Sequence, residues 1–120
     1  MDKLETIKSN FSQNIETVNL TVKNNLDDIL HATNMLIEML ESQGKLLSCG
    51  NGGSSGDAQH ISSEFINRFE LERDEMPAIS LNSDTATVTS IANDYGYEYI
   101  FSKQIKALGR ENDVLMAFTT

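Results

Sequence analysis

The run Lys45-Leu46-Leu47-Ser48-Cys49-Gly50-Asn51-Gly52-Gly53-Ser54-Ser55-Gly56 constrains this chain more than any other. A short apolar stretch ends in a cluster of glycines and serines, which reads as a buried strand from Lys45 to Cys49 running into a tight loop. Asp57 to Phe69 then has helical texture, with His60 and Glu64 four apart and so on one face. Glycines let backbone N–H groups approach a polar ligand closely, and the helix that follows adds the positive end of its dipole. A strand, a glycine loop and a helix bearing an imidazole and a carboxylate together describe a small-molecule site.

The same alternation continues. Glu70 to Glu75 is a charged surface turn, and Pro77-Ala78-Ile79-Ser80-Leu81 is a second strand. Ser83 or Asp84 caps a helix through Ile91 or Ala92. Asn93-Asp94-Tyr95-Gly96 is a turn, and Tyr99 to Leu108 is a helix closed by Gly109. Val114-Leu115-Met116-Ala117-Phe118 is a third strand. Three short apolar strands separated by helices predict a parallel sheet with right-handed crossovers. Ligands of such sheets sit at the carboxyl ends of the strands. The loops Gly50 to Asp57 and Asn82 to Asp84, and Thr119-Thr120 after the third strand, are therefore the places to watch. A sheet that stops at the tip of its third strand leaves an edge bare, so the chain is expected to be a fragment.

Ahead of the sheet, Leu4, Ile7, Phe11, Ile15, Val18, Val22, Leu26 and Ile29 recur at helical spacing. Asn24-Asn25-Leu26-Asp27 breaks this stripe. A second helix then runs from Asp27 to Gln43, with Leu30, Leu36, Ile37 and Leu40 buried and Gly44 as its stop. The stripe has two readings: packing on the chain's own sheet, or pairing with the same helix of another subunit. Residues 1–44 are thus an N-terminal helical region with a role in oligomerisation, and 45–120 the strand-helix domain.

Net charge is −9, which repels phosphate backbones and disfavours nucleic-acid binding. No apolar stretch has the length of a membrane span, and Met1-Asp2-Lys3-Leu4-Glu5 does not open a secretory signal. The one cysteine, Cys49, lies in an apolar strand and reads as a small buried hydrophobe suited to a reducing cytoplasm.

The loop lacks both the dinucleotide fingerprint, having Ser at position 55, and the G-x-x-x-x-G-K-[ST] run of a nucleotide-binding loop. Asn51 and the serines instead offer amide and hydroxyl groups suited to sugar hydroxyls, although an ordinary turn has the same composition. His60 and Glu64 alone make either a surface hydrogen bond or two of the three or four ligands that zinc takes. His31, the only other histidine, faces solvent or an interface. Asn93-Asp94 reads as a capping turn that also lies on the way to the pocket. Thr119 and Thr120 can begin a phosphate cradle.

Taken in order and spacing, several segments resemble the sugar isomerase (SIS) family and, within it, the phosphoheptose isomerases. They are Ser48-Cys49-Gly50-Asn51-Gly52-Gly53-Ser54, Asp57-Ala58-Gln59-His60, Glu64, Ile91-Ala92-Asn93-Asp94-Tyr95-Gly96-Tyr97, and Ala107-Leu108-Gly109-Arg110-Glu111-Asn112-Asp113-Val114-Leu115. The resemblance implies a flavodoxin-like α/β fold, a parallel sheet with helices on both faces, of which this chain carries the first three strands. It implies a cytoplasmic homotetramer that converts sedoheptulose 7-phosphate to D-glycero-D-manno-heptose 7-phosphate for lipopolysaccharide. Asn51, Gly52, Gly53, Ser54, Glu64, Asn93, Asp94, Thr119 and Thr120 would bind substrate. His60 and Glu64 would hold one zinc per subunit, and Glu64 would also act as acid and base. The rest of the phosphate loop, a glutamine and a catalytic histidine of the family lie past Thr120, so the chain alone is expected to be inactive. Ile66-Asn67-Arg68-Phe69-Glu70-Leu71-Glu72-Arg73 and Pro77 to Asn82 also look like non-catalytic SIS proteins that bind the replication initiator DnaA. Those proteins typically lack the acid at the position of Glu64.

Overall fold

The computed structural model describes residues 2–120. The chain divides into two compact units, one up to Met35 and one of Leu36–Thr120, with the boundary inside the second helix.

The first unit is helical. Helix α1 spans Lys3–Asn24 and α2 spans Leu26–Glu41, so the break falls at Asn25, inside the polar run that predicts it. Nothing in α1 is buried, and its apolar stripe is open to solvent, Phe11 by 69 %. Thr17 and Thr21 hydroxyls donate to the carbonyls of Gln13 and Thr17 one turn earlier. Such back-bonding satisfies the hydroxyls within the helix itself.

The second unit is a three-stranded parallel sheet with order β2-β1-β3, in which β1 is Leu46–Gly50, β2 is Ala78–Ser80 and β3 is Val114–Phe118. Order 2-1-3 opens a flavodoxin-like doubly wound sheet, and the strand order reverses between β1 and β3. Buried on both faces, β1 alternates its side chains between two cores. Leu46 packs with Met39 and Ala78 beneath Ile61 and Phe65 of α3, which spans Gly53–Ile66. Leu47 and Cys49 pack with Leu81 against Phe101 and Ile105 on the other face. Ile105 belongs to α5, Ser102–Leu108. Ser48 is buried on the α3 side, where its hydroxyl donates to the Ala58 carbonyl at 2.7 Å.

The remaining helix, α4, spans Thr85–Asp94 and is capped by Asp84, as its position predicts. The Thr87 hydroxyl and backbone N–H both donate to the Asp84 carboxylate and hold its pKa below the usual carboxylate range.

Several boundaries differ from the sequence expectation. Helix α3 begins at Gly53, four residues before Asp57, because the glycines and serines form its first turn rather than a free loop. Asn93 and Asp94 close α4, with Tyr95 as C-cap, and the turn proper is Gly96 followed by a 3₁₀ turn over Tyr97–Tyr99. Leu30 and Ile37 are exposed; Met39 is the buried residue of α2, flanked by half-buried Leu36 and Leu40. Gln43, not Gly44, takes the left-handed backbone after α2, at φ 61°. Gly44 is demanded for another reason: an added Cβ would lie 2.1 Å from the Asn112 carbonyl oxygen.

Asp113 ties down the amino end of the sheet. Its carboxylate accepts from the Lys45 backbone N–H at 2.9 Å, the Lys45 ammonium at 2.6 Å and the Arg110 backbone N–H at 2.8 Å. Its side chain is 8 % exposed. Burial alone would raise its pKa, but the Lys45 and Arg110 donors outweigh it and hold the carboxyl below the usual range.

Candidate active site

The opposite, carboxyl end of the sheet carries the candidate residues. Gly50 ends β1 opposite Phe118 of β3, so the glycine loop and Thr119-Thr120 leave the sheet side by side. Gly50 admits no side chain, since a Cβ there would sit 2.4 Å from the Ser54 carbonyl oxygen. Gly52 adopts φ 57° and ψ −125°, a region other residues avoid. Gly53 and Gly56 have no neighbouring atom within 4 Å of where a Cβ would lie, so the start of α3 is bare backbone. Ser54 and Ser55 backbone N–H groups turn inward to the Asn51 and Gly52 carbonyls.

Two helical turns along α3, His60 Nε2 lies 2.9 Å from Glu64 Oε1. A carboxylate only accepts, so this bond places the proton on Nε2. The imidazole is 73 % exposed and the carboxylate 29 %, which leaves the pair reachable yet partly screened. Both line a cleft of about 650 Å³ shared with Asp57, Phe65, Arg73 and Phe118. Arg73 closes the cleft by capping α3: its guanidinium donates to the Glu64, Phe65 and Asp74 carbonyls. The Glu64 and Phe65 carbonyls belong to the last turn of α3, where a cation is favoured.

Zinc takes nitrogen and oxygen donors of this kind, and the adjacent His60 and Glu64 fit as two members of such a set. They do not make a complete one: no group of three or more metal-ligating side chains occurs among the described residues. Cys49 is no candidate, since burial raises its thiol pKa and keeps the sulfur protonated.

The structure thus brings His60 and Glu64 together, and sets Asn51, Gly52, Gly53, Ser54, Thr119 and Thr120 at one end of the sheet. Asn93 Nδ2 donates to Asp94 Oδ1 at 3.0 Å on the exposed last turn of α4, and neither residue lines the cleft. The residue of this segment that does reach the glycine loop is Tyr97, whose hydroxyl donates to Asn51 Oδ1 at 2.5 Å. Tyr97 and Asn82 received no role from sequence reasoning, although Asn82 lies in a loop marked there and Tyr97 in a matching segment. Their contacts are made across 46 and 32 residues and have no local signature. Among the described residues no helix is long and apolar enough to cross a membrane.

Comparison with known proteins agrees with this fold. The SIS domain family matches residues 10–120. A phosphoheptose isomerase of Alkalilimnicola ehrlichii is 46 % identical over 120 residues, all of this chain and 61 % of that protein. One of Shewanella sp. strain ANA-3 is 50 % identical over 117 residues, 98 % of this chain and 59 % of that protein. The chain therefore spans about three fifths of the length of these curated relatives. Among solved structures, a phosphoheptose isomerase from Francisella tularensis superposes with TM-score 0.95 at 42 % identity, covering 100 % of this chain and 63 % of that one. The phosphoheptose isomerase GmhA from Neisseria gonorrhoeae gives TM-score 0.91 at 36 % identity, covering 99 % and 61 %. A three-stranded 2-1-3 sheet, a glycine-rich helix start at its carboxyl end and a family match over residues 10–120 lead to one conclusion: this chain belongs to the SIS domain family.

Proposed function

We propose that this chain works as part of a phosphoheptose isomerase acting on sedoheptulose 7-phosphate. The observation that carries the reading is the Glu64 carboxylate, half-screened in a cleft and held at one oxygen by His60, with its second oxygen free of that contact. Converting a 2-ketose to an aldose needs a group that takes a proton from C1 and returns one to C2. Glu64 accepts the C1 proton as the C2 carbonyl oxygen takes a proton from water, giving an enediol. It then protonates C2 as the C1 hydroxyl gives its proton back to water and becomes the aldehyde. The open backbone at Gly52 and Gly53, with Asn51 and Ser54, suits sugar oxygens, and Thr119-Thr120 suit the phosphate. Asn93 and Asp94 would meet the substrate from α4. His60 and Glu64 would supply two zinc ligands, and a bound zinc would stabilise negative charge developing on the sugar oxygens.

The exposed stripe of α1 supports a homotetramer joined by these helices, because an apolar face of that length is seldom left in water. Heptose supply for lipopolysaccharide in the cytoplasm is the role such an activity would serve. Turnover of sedoheptulose 7-phosphate by the natural gene's product, with zinc present, tests the reading; a folded protein that forms no aldose overturns it.

A second reading, a non-catalytic module that binds DnaA, draws on Phe69 and Leu71, both well exposed in the segment after α3. Glu64→Gln separates the two, ending isomerisation while leaving initiator binding intact.

A further inference from the structure

Two side chains at the carboxyl end of β1 have no part in the proton transfer described above. Backbone pairing between β1 and β2 ends at Ser48↔Ser80. Beyond that rung Asn82 takes over the edge of β1: its Oδ1 accepts from the Gly50 N–H at 3.1 Å, and its Nδ2 donates to the Gly50 carbonyl at 2.7 Å. One carboxamide thus serves both backbone groups of one residue. On the next residue, the Tyr97 hydroxyl donates to Asn51 Oδ1. Tyr97 reaches that position from the turn at Gly96, whose φ of 127° excludes other residues. Two successive residues, Gly50 and Asn51, are therefore gripped from two separate loops, immediately before Gly52 and Gly53, which nothing overlies.

The grip on Asn51 has a chemical consequence. A carboxamide has an acceptor end and a donor end. With Oδ1 occupied by Tyr97, the donor end remains, and among the described residues Nδ2 of Asn51 has no partner. We propose that Tyr97 is a positioning residue that turns the Asn51 Nδ2 donors toward ligand, with Asn82 fixing the backbone beneath. This rests on reading the glycine loop as the sugar subsite. The arrangement favours a ligand oxygen that accepts, such as a carbonyl or an enediolate oxygen, over a hydroxyl that must donate.

The test is Tyr97→Phe, which removes the hydroxyl and keeps the ring, in the ¹⁵N-labelled product of the natural gene. Backbone amide exchange over residues 51–55, the Asn51 side-chain NH₂ resonances, thermal unfolding and the Kd for sedoheptulose 7-phosphate are compared with wild type. Losing one hydrogen bond of this kind is expected to quicken exchange in 51–55 about fivefold and weaken sugar binding about fivefold. The Asn51 NH₂ pair shifts, and exchange elsewhere in the sheet stays as it was. Asn82→Leu gives the same local loosening, and Asn82→Asp, which keeps the acceptor for Gly50 N–H, restores part of the protection. Exchange and side-chain resonances are read without ligand. If they respond but the wild-type gene product binds no sedoheptulose 7-phosphate, the positioning stands and the substrate reading falls. Unchanged exchange and resonances in Tyr97→Phe overturn the proposal. So does loosening spread evenly over the whole sheet, the mark of a merely structural role.

Discussion

The two ends of the sheet are built to opposite specifications. At the amino end one carboxylate, Asp113, serves two backbone N–H groups and an ammonium, and Gly44 lies so close to Asn112 that a methyl group has no room. At the carboxyl end Gly53 and Gly56 face open space, and His60 and Glu64 have mainly each other. Saturation at one end and spare capacity at the other separate the part that holds the fold from the part that meets a ligand. In doubly wound sheets the carboxyl end is the ligand end.

The contrast can be broken most severely at Glu64. In the proposed isomerase, Glu64→Gln should lower kcat about a thousandfold, the scale of a lost general base, and leave the unfolding midpoint in place. A large loss of stability instead would mean that the carboxyl end also holds the fold. Next comes Gly44→Ala, where the clash with backbone should cost about 3 kcal/mol in urea unfolding and leave sugar binding by surviving folded protein unchanged.

Asp113→Ala should cost about 2 kcal/mol, since two backbone donors and Lys45 lose their acceptor. The effect carries a pH signature. The folded pKa of Asp113 lies below its unfolded value, so its contribution is complete above the ordinary carboxylate range and disappears as pH falls through the folded value. Wild type and variant should therefore converge in stability in acid, and a gap that persists there would assign the loss to packing. The smallest effect is expected for Gly53→Ala. With nothing within 4 Å, it should move stability by less than about 0.5 kcal/mol while weakening phosphosugar binding, as measured by titration calorimetry.

How much of this was legible in the sequence follows the same division. Strand β3 has the predicted limits, Val114–Phe118, because an apolar run bounded by Asp113 and Thr119 admits one reading. A cap at Ser83 or Asp84 was legible for similarly local reasons, and Asp84 takes it. The start of α3 was not: Gly53-Ser54-Ser55-Gly56 has poor helix propensity, and tertiary packing of Ser54 on Gly50 overrides it. Leu30 and Ile37 share the period of Leu36 and Leu40, and periodicity cannot say how much of a stripe finds a surface to cover. At the site, the i, i+4 pair His60 and Glu64 could be read from spacing. The Asn82 and Tyr97 contacts could not, since each joins residues far apart in the chain.

Cys49 adds an experimental consequence. The only cysteine of the chain sits in the central strand, between two cores, with its thiol protonated and shielded. A thiol-specific reagent can reach that sulfur only when the middle of the sheet opens. The labelling rate of the unaltered protein is therefore a built-in clock for opening of its innermost strand, free of any introduced probe.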